Sequence, residues 1–247
     1  YSVRCLDLLL YNNGQSCISL IKNNRFEFTC GDFSDQRVLG KALEEVTDVV
    51  VLGGLVGDPI TKKYPNESAL INDLGIKGVI DSLRNKKLER VVFVSTCSNY
   101  GLIQGDTKAD ENFALNPLSL YAKSKVRAEQ YLLEQQCHVD YSATVLRFAT
   151  AFGLAPRMRF DLTVNEFVKD LCKTGKILVY DADTWRPYCH VNDFARLVRI
   201  VLEAPSNKVN FEIFNAGGDE NNFTKRMIVT KILEHLPNAK ANYQKEH

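Results

Sequence analysis

The chain reads as α/β on a mostly parallel sheet, and three observations lead there. Runs that are apolar nearly end to end, at 48–52, 91–94 and 142–148, have the composition of strands buried on both faces. Between them stand segments of about 10–20 residues with apolar side chains at helical spacing. Strand and helix alternating in this way close into right-handed βαβ units.

Taken in order, Val3–Asp7 is a strand ending in an acid, followed by polar residues with Asn and Gly at 11–16. A second strand at 25–29 runs into Gly31-Asp32-Phe33-Ser34-Asp35, where Asp35 is placed to cap a helix of about ten residues. The strand at 48–52 is closed by Gly53-Gly54, and 66–86 carries Leu70, Leu74, Val79 and Leu83 at helical spacing. The strand at 91–94 opens into Ser95-Thr96-Cys97-Ser98-Asn99-Tyr100-Gly101. A polar loop and a turn around Asn116-Pro117 lead to a helix from Tyr121 to about 137. Beyond the strand at 142–148, Arg157-Met158-Arg159-Phe160-Asp161 enters a helix at 162–173. A strand at 176–180, a connector at 185–191, a helix at 192–203, a strand at 211–215 and a helix at 224–235 complete the reading.

Bulk properties narrow the function. With 247 residues, 45% apolar and 25% charged, there is material for one sizeable core or two intertwined lobes. A net charge of +1 gives no bulk attraction for nucleic acid or an anionic membrane. No apolar run is long enough to span a bilayer, and no signal peptide is expected. The seven cysteines include no Cys-x-x-Cys and no His partner at metal spacing, so no metal is expected. Their odd number favours a reducing cytoplasm.

The chemistry is concentrated in Ser119-Leu120-Tyr121-Ala122-Lys123-Ser124-Lys125. Tyr121 and Lys125 are four residues apart, so phenol and ammonium share a helix face. Bringing a phenol from its ordinary pKa to neutrality takes roughly 4 kcal/mol. A cation at about 4 Å in a medium of effective dielectric near 20 supplies about that much. The pair alone does not decide, since a solvated lysine on an amphipathic helix gives the same pattern. Ten tyrosines produce a Tyr-x-x-x-Lys about once by accident.

The surrounding segments resemble the extended short-chain dehydrogenase/reductase superfamily, in its NAD-dependent, nucleotide-sugar epimerase/dehydratase branch. Thr96 lies 25 residues before Tyr121 and four before Tyr100-Gly101, the spacing by which that family assembles Ser/Thr, Tyr and Lys. Gly31-Asp32-Phe33-Ser34-Asp35 is similar to its adenine loop and Leu52-Gly53-Gly54 to its turn beside the cofactor. Arg186 to Asp193 resembles its Arg-(Asp/Pro)-aromatic-x-His-Val-x-Asp segment, and Phe214-Asn215-Ala216-Gly217 its Asn-x-Gly. The resemblance implies a Rossmann-like doubly wound sheet with a smaller, intertwined substrate lobe. The cofactor-binding part would span 1–155 and 190–217, the substrate-binding part 156–189 and 218–247. The family's first strand and Gly-x-x-Gly-x-x-Gly, which receives the pyrophosphate, have no counterpart here. By the same sheet order, roughly 25 residues are expected to be absent before Tyr1, and the substrate lobe to continue past His247.

The resemblance also distributes roles. Thr96, Tyr121 and Lys125 would be catalytic, with Lys125 also reaching the nicotinamide ribose. Asp7 would accept from the adenosine ribose hydroxyls or merely cap a loop, and Asp32 from the adenine amine or cap the next turn. With Leu8-Leu9-Leu10 after Asp7 in place of an Arg, NAD is favoured over NADP. Phe33, Leu52, Gly53, Gly54 and Phe148 complete the cofactor contacts. For the sugar nucleotide the implied residues are Ser98, Thr150, Arg159 and Arg186, with Arg186 on the diphosphate because a guanidinium fork matches phosphate oxygens. His190 is assigned no catalysis.

The implied reaction proceeds through a 4-keto sugar, as 4-epimerisation or, as the alternative, 4-keto reduction. Relatives that dehydrate carry Asp-Glu after the Thr, and here Cys97 and Ser98 stand there, which disfavours dehydration. A non-catalytic cofactor-binding scaffold is the reading from another class. Family members often dimerise through the Tyr-bearing helix and its neighbour, so a homodimer is a further implication.

Overall fold

The protein is described by a computed structural model that covers residues 1–103 and 107–245. Part of the polar loop after Gly101 and the last two residues of 218–247 lie outside the described residues. The elements in order are β1 (Val3–Asp7), β2 (Phe26–Cys30), α1 (Gln36–Ala42), β3 (Asp48–Val51), α2 (Asp58–Lys63) and α3 (Pro65–Ser68). A π-helical segment (Ala69–Gly75) leads into α4 (Ile76–Leu83), β4 (Arg90–Thr96), a 3-10 turn (Cys97–Tyr100), α5 (Leu120–Leu133) and β5 (Ser142–Phe148). Then follow β6 (Thr150–Phe152), α6 (Thr163–Thr174), β7 (Lys176–Tyr180), β8 (Trp185–His190) and α7 (Val191–Glu203). The chain ends through α8 (Ser206–Val209), β9 (Glu212–Ala216), β10 (Asn222–Thr224), α9 (Lys225–His235) and β11 (Lys240–Gln244). None of the described helices is long and apolar enough to cross a membrane.

Two compact units divide these elements. The first comprises residues 1–147 and 198–215. In it β3, β4, β5 and β9 lie side by side in that order, with β3 parallel to β4 and Asp48 opposite Arg90. β1 and β2 form a separate parallel pair, from Val3 opposite Phe26 to Asp7 opposite Cys30. Among the described residues β1 is bonded to β2 alone and β3 to β4 alone, so each keeps one edge unpaired. The continuous apolar strands are buried as their composition requires: Val91, Val92 and Phe93 are at most 1% exposed. Ile76, Val79, Ile80 and Leu83 of α4, Leu39 and Leu43 at α1, and Ala128 and Leu132 of α5 pack into the same core.

The second unit comprises 148–197 and 216–247. β8 runs parallel to β6, Thr150 opposite Tyr188, and antiparallel to β10, Asn222 opposite Pro187. β7 and β11 form a parallel pair. Phe167 and Leu171 of α6, Ile177 and Val179 of β7, Tyr188, and Ile228 and Val229 of α9 make its core.

Two readings of the sequence change. The connector expected at 185–191 is mostly the strand β8. Pro187 argues against a central strand because it lacks an N–H. The conflict disappears in the register, where residues 185–187 pair only with β10 and 188–190 only with β6. Nothing needs to be donated on both sides of the proline. The single helix expected at 66–86 is interrupted by the π-helical Ala69–Gly75, a rare form that often accompanies functional sites. Helix α2 and strands β6, β10 and β11 were not foreseen, and the Tyr121 helix stops at Leu133.

Leu83, fully buried among α4, β4 and α5, should lose about 2–5 kcal/mol on Leu83→Ala, read as a lower urea midpoint. Leu154→Ala, at a site 86% exposed, should stay within about 0.5 kcal/mol of the parent.

Candidate functional site

The site starts from the cap of α5. The Ser119 hydroxyl accepts from the Ala122 N–H at 3.1 Å, which starts the helix at Leu120 and puts Tyr121 in the first turn. Lys125 follows on the same face. It is 6% exposed, and its Nζ donates to the Val94 carbonyl of β4 at 2.8 Å. The ammonium lies 4.8 Å from the centre of the Phe93 ring and 6.0 Å from that of Tyr121. Burial lowers the pKa of Lys125 to about 8, and the carboxylate of Glu129 opposes that shift.

Thr96 ends β4 two residues after Val94 and is 7% exposed. Its Oγ1 accepts from the Ser98 N–H at 3.2 Å and so caps the 3-10 turn. That bond uses a lone pair and leaves the hydroxyl proton for another acceptor. Ser98 is half-buried in the turn. The structure therefore brings Tyr121 and Lys125 together and ties Lys125 to the strand that delivers Thr96.

The residues read as cofactor contacts in this unit stand after the carboxyl ends of strands, where open parallel sheets bind their ligands. Asp7 closes β1 opposite Cys30, and Asp32 comes two residues after Cys30, so both acids lie at one end of the β1–β2 pair. Each is exposed, and each uses one oxygen to organise its own turn. Asp7 Oδ1 accepts from the Leu9 N–H at 2.6 Å, and Asp32 Oδ1 from the Ser34 N–H at 2.7 Å. Their remaining lone pairs suit hydroxyl and amine donors. Leu52, after β3, is 60% exposed. A Cβ at Gly53 would meet the Phe33 ring at 2.8 Å, so backbone packs directly on that aromatic face. Gly54 has φ 138°, and Asn72 from the π-helical segment grips the next residue, Leu55, at both N–H (2.8 Å) and carbonyl (2.9 Å). Exposed carboxylates and a side-chain-free turn fit the ribose hydroxyls and adenine of a dinucleotide.

In the second unit Phe148 stacks on Phe194, with ring centres 3.8 Å apart and planes at 6°. Thr150 is half-buried in β6. Arg159 clamps Asp161 with two bonds of 2.8 and 2.6 Å, which hold the Asp161 carboxyl below the usual range. Arg186 is exposed on β8 and takes part in none of the ion pairs found among the described residues.

One group escaped the sequence reading. Glu129 is 1% exposed on α5, and Arg147 of β5, 3% exposed, donates to it through Nη2 at 2.9 Å. The available signal was Glu129 standing one turn beyond Lys125, in line with Tyr121.

Comparison with known proteins finds relatives by sequence and by fold. The chain is 28% identical to the uncharacterised UDP-glucose epimerase YtcB of Bacillus subtilis, over 69% of this chain and 52% of that protein. It is 23% identical to UDP-glucuronate 4-epimerase 1 of Arabidopsis thaliana, over 91% of this chain and 56% of the relative. The chain thus spans little more than half the length of these curated relatives. Its fold matches the UDP-glucuronic acid 4-epimerase of Bacillus cereus, solved with UDP-glucuronic acid and NAD, at a TM-score of 0.88 and 22% identity. That match covers 100% of this chain and 79% of the other. The sequence profile of the NAD dependent epimerase/dehydratase family runs through residues 1–217, from β1 to the glycine that follows β9, and the chain belongs to that family.

Proposed function

We propose that the protein carries out NAD-dependent 4-epimerisation of a nucleotide-activated sugar. The observation that carries this reading is the buried Lys125, bonded to β4 two residues before Thr96 and sharing a helix face with Tyr121. NAD, when bound, supplies a reversible hydride acceptor. In this reading Asp7, Asp32, Phe33, Leu52, Gly53, Gly54 and Phe148 would hold it, with Lys125 on its ribose. Tyr121 Oη takes the proton of the sugar 4-hydroxyl and later returns it. The Lys125 ammonium keeps that phenol acidic, and the Thr96 hydroxyl donates to the sugar oxygen. Loss of this proton from oxygen, together with loss of the C4 hydride that NAD would accept, would leave a carbonyl at the sugar C4. Turnover of that ketone exposes its other face, and return of hydride to C4 and of the proton to oxygen would give the 4-epimer. Cys97 and Ser98 offer no carboxyl pair to expel water, which sets dehydration aside.

Residues 1–155 and 190–217 would serve the cofactor, and 156–189 and 218–247 the sugar nucleotide. Ser98, Thr150, Arg159 and Arg186 are the substrate contacts in this reading, with the uncommitted guanidinium of Arg186 on the diphosphate. Relatives whose names specify UDP-glucuronate make UDP-glucuronic acid the first substrate to try. Leu70, Leu74 and Leu120 are 59%, 64% and 47% exposed on α5 and the helical stretch before it, an apolar face suited to a second copy of the chain. A reducing cytoplasm is the proposed setting, since the seven cysteines include no Cys-x-x-Cys and no even framework.

Conversion of UDP-glucuronic acid to its 4-epimer, followed by proton NMR, tests the reading. Stoichiometric NADH consumption on a 4-keto sugar would instead identify a reductase. Tyr121→Phe should lower kcat at least about 100-fold with Tm unchanged. Because Lys125 must stay cationic, kcat/KM should fall as pH rises through about 8. The stability sign is opposite: burial penalises the charged lysine, so the unfolded chain binds more protons above about 8 and stability climbs toward the ordinary lysine value. Lys125→Met should abolish that climb in pH-dependent melts. Leu70→Glu with Leu74→Glu should convert a sedimenting dimer to monomer.

A further inference from the structure

Resting on the reading above, we propose that Glu129 is a positioning residue: through Asn99 and Arg147 it locks the turn carrying Thr96 and Ser98 onto the helix carrying Tyr121 and Lys125. Its carboxylate is fully engaged. Oε1 accepts from Asn99 Nδ2 at 2.7 Å, and Oε2 from Arg147 Nη2 at 2.9 Å and Nε at 3.2 Å. Asn99 is 0% exposed, and its Nδ2 also donates to Ser95 Oγ at 3.1 Å, so the same amide grips β4 immediately before Thr96. Arg147 Nη1 donates to the Tyr100 hydroxyl at 2.9 Å and to the Glu111 carbonyl at 3.1 Å. Tyr100 in turn donates to Asn215 Oδ1 at 2.7 Å. The second half of the 3-10 turn is thereby fastened, Asn99 to α5 and Tyr100 to β5 and β9.

Stability alone does not account for this arrangement. A buried ion pair roughly breaks even against apolar side chains of equal volume, whereas its directional bonds fix a register that apolar packing leaves loose. The location is equally specific, since Tyr121, Lys125 and Glu129 recur at every fourth residue along one stripe of α5. Among the described residues, the charge of Glu129 is also the one that opposes the burial of Lys125. From β4 the lysine meets the Phe93 ring and the Val94 carbonyl, and from β5 the charge of Arg147 is taken up by Glu129. Charges on the other elements packed against α5 are engaged or exposed. Asp73 binds Arg127, Asp81 binds Tyr131 and Arg84, Lys77 covers the Tyr131 ring, and Asp58, Lys62 and Lys63 of α2 face solvent.

The test compares Glu129→Gln, Glu129→Asp and the apolar replacement Glu129→Leu with Arg147→Met. Three readouts are followed: Tm, steady-state kinetics, and the Tyr121 ionisation isolated as the ultraviolet difference from Tyr121→Phe. The apolar pair should regain the parent's Tm yet keep kcat about 10- to 100-fold low, with KM within about twofold. Its Tyr121 titration should move up by about one unit, and Glu129→Asp should recover most of both properties. An apolar pair with the parent's Tm, kcat and Tyr121 titration would overturn the proposal, even if Glu129→Gln fails to fold. A parent without turnover but with the Tyr121 shift would count against the proposed reaction and in favour of the positioning role.

Discussion

One hydrogen bond organises the first compact unit: the buried Lys125 ammonium on the Val94 carbonyl. Burial works against the charge of a lysine only 6% exposed and lowers its pKa to about 8. The carbonyl, two aromatic faces and one carboxylate supply compensation, and each comes from an element whose position is thereby constrained. Helix α5 cannot slide along β4 without breaking the bond. Its cap at Ser119 sets which residue enters the first turn, so a shift there would carry Tyr121 away with it. The charge proposed to activate the phenol is the same charge that fastens the helix.

Around this centre the glycine turn after β3 is held by contacts of a different kind. Phe33 packs where Cβ atoms at Gly53 and Gly75 would lie, and Asn72 substitutes for a backbone partner of Leu55. Gly75 and Asn72 both belong to the π-helical segment, whose wider turn brings amide and aromatic contact to one loop. The irregularity in the helix serves the loop.

Much of this was legible in the sequence where local pattern decides. The apolar runs of β4 and β5 and the Asp35 capping position follow from composition and spacing, whereas the Ser119 cap came only with the structure. The alignment of Tyr121 with Lys125 follows from the helical repeat. What stayed hidden depends on partners far along the chain. Glu129 and Arg147 are 18 residues apart, and only the packing of α5 on β5 joins them. Strand β8 was concealed by Pro187, because a proline rules out a central strand unless each half of that strand pairs on a different side. The π-helical register left no mark in the apolar spacing, since Leu70 and Leu74 keep the ordinary interval of four and point outward.

The burial of Lys125 also bears on how the protein answers amine-directed reagents. Acylation consumes the neutral amine, and a pKa lowered to about 8 makes that form more abundant near neutrality than on a surface lysine. Only 6% of the residue is open to solvent, which keeps bulky esters from it. Labelling with reagents of graded size would therefore tell this amine from the exposed ones.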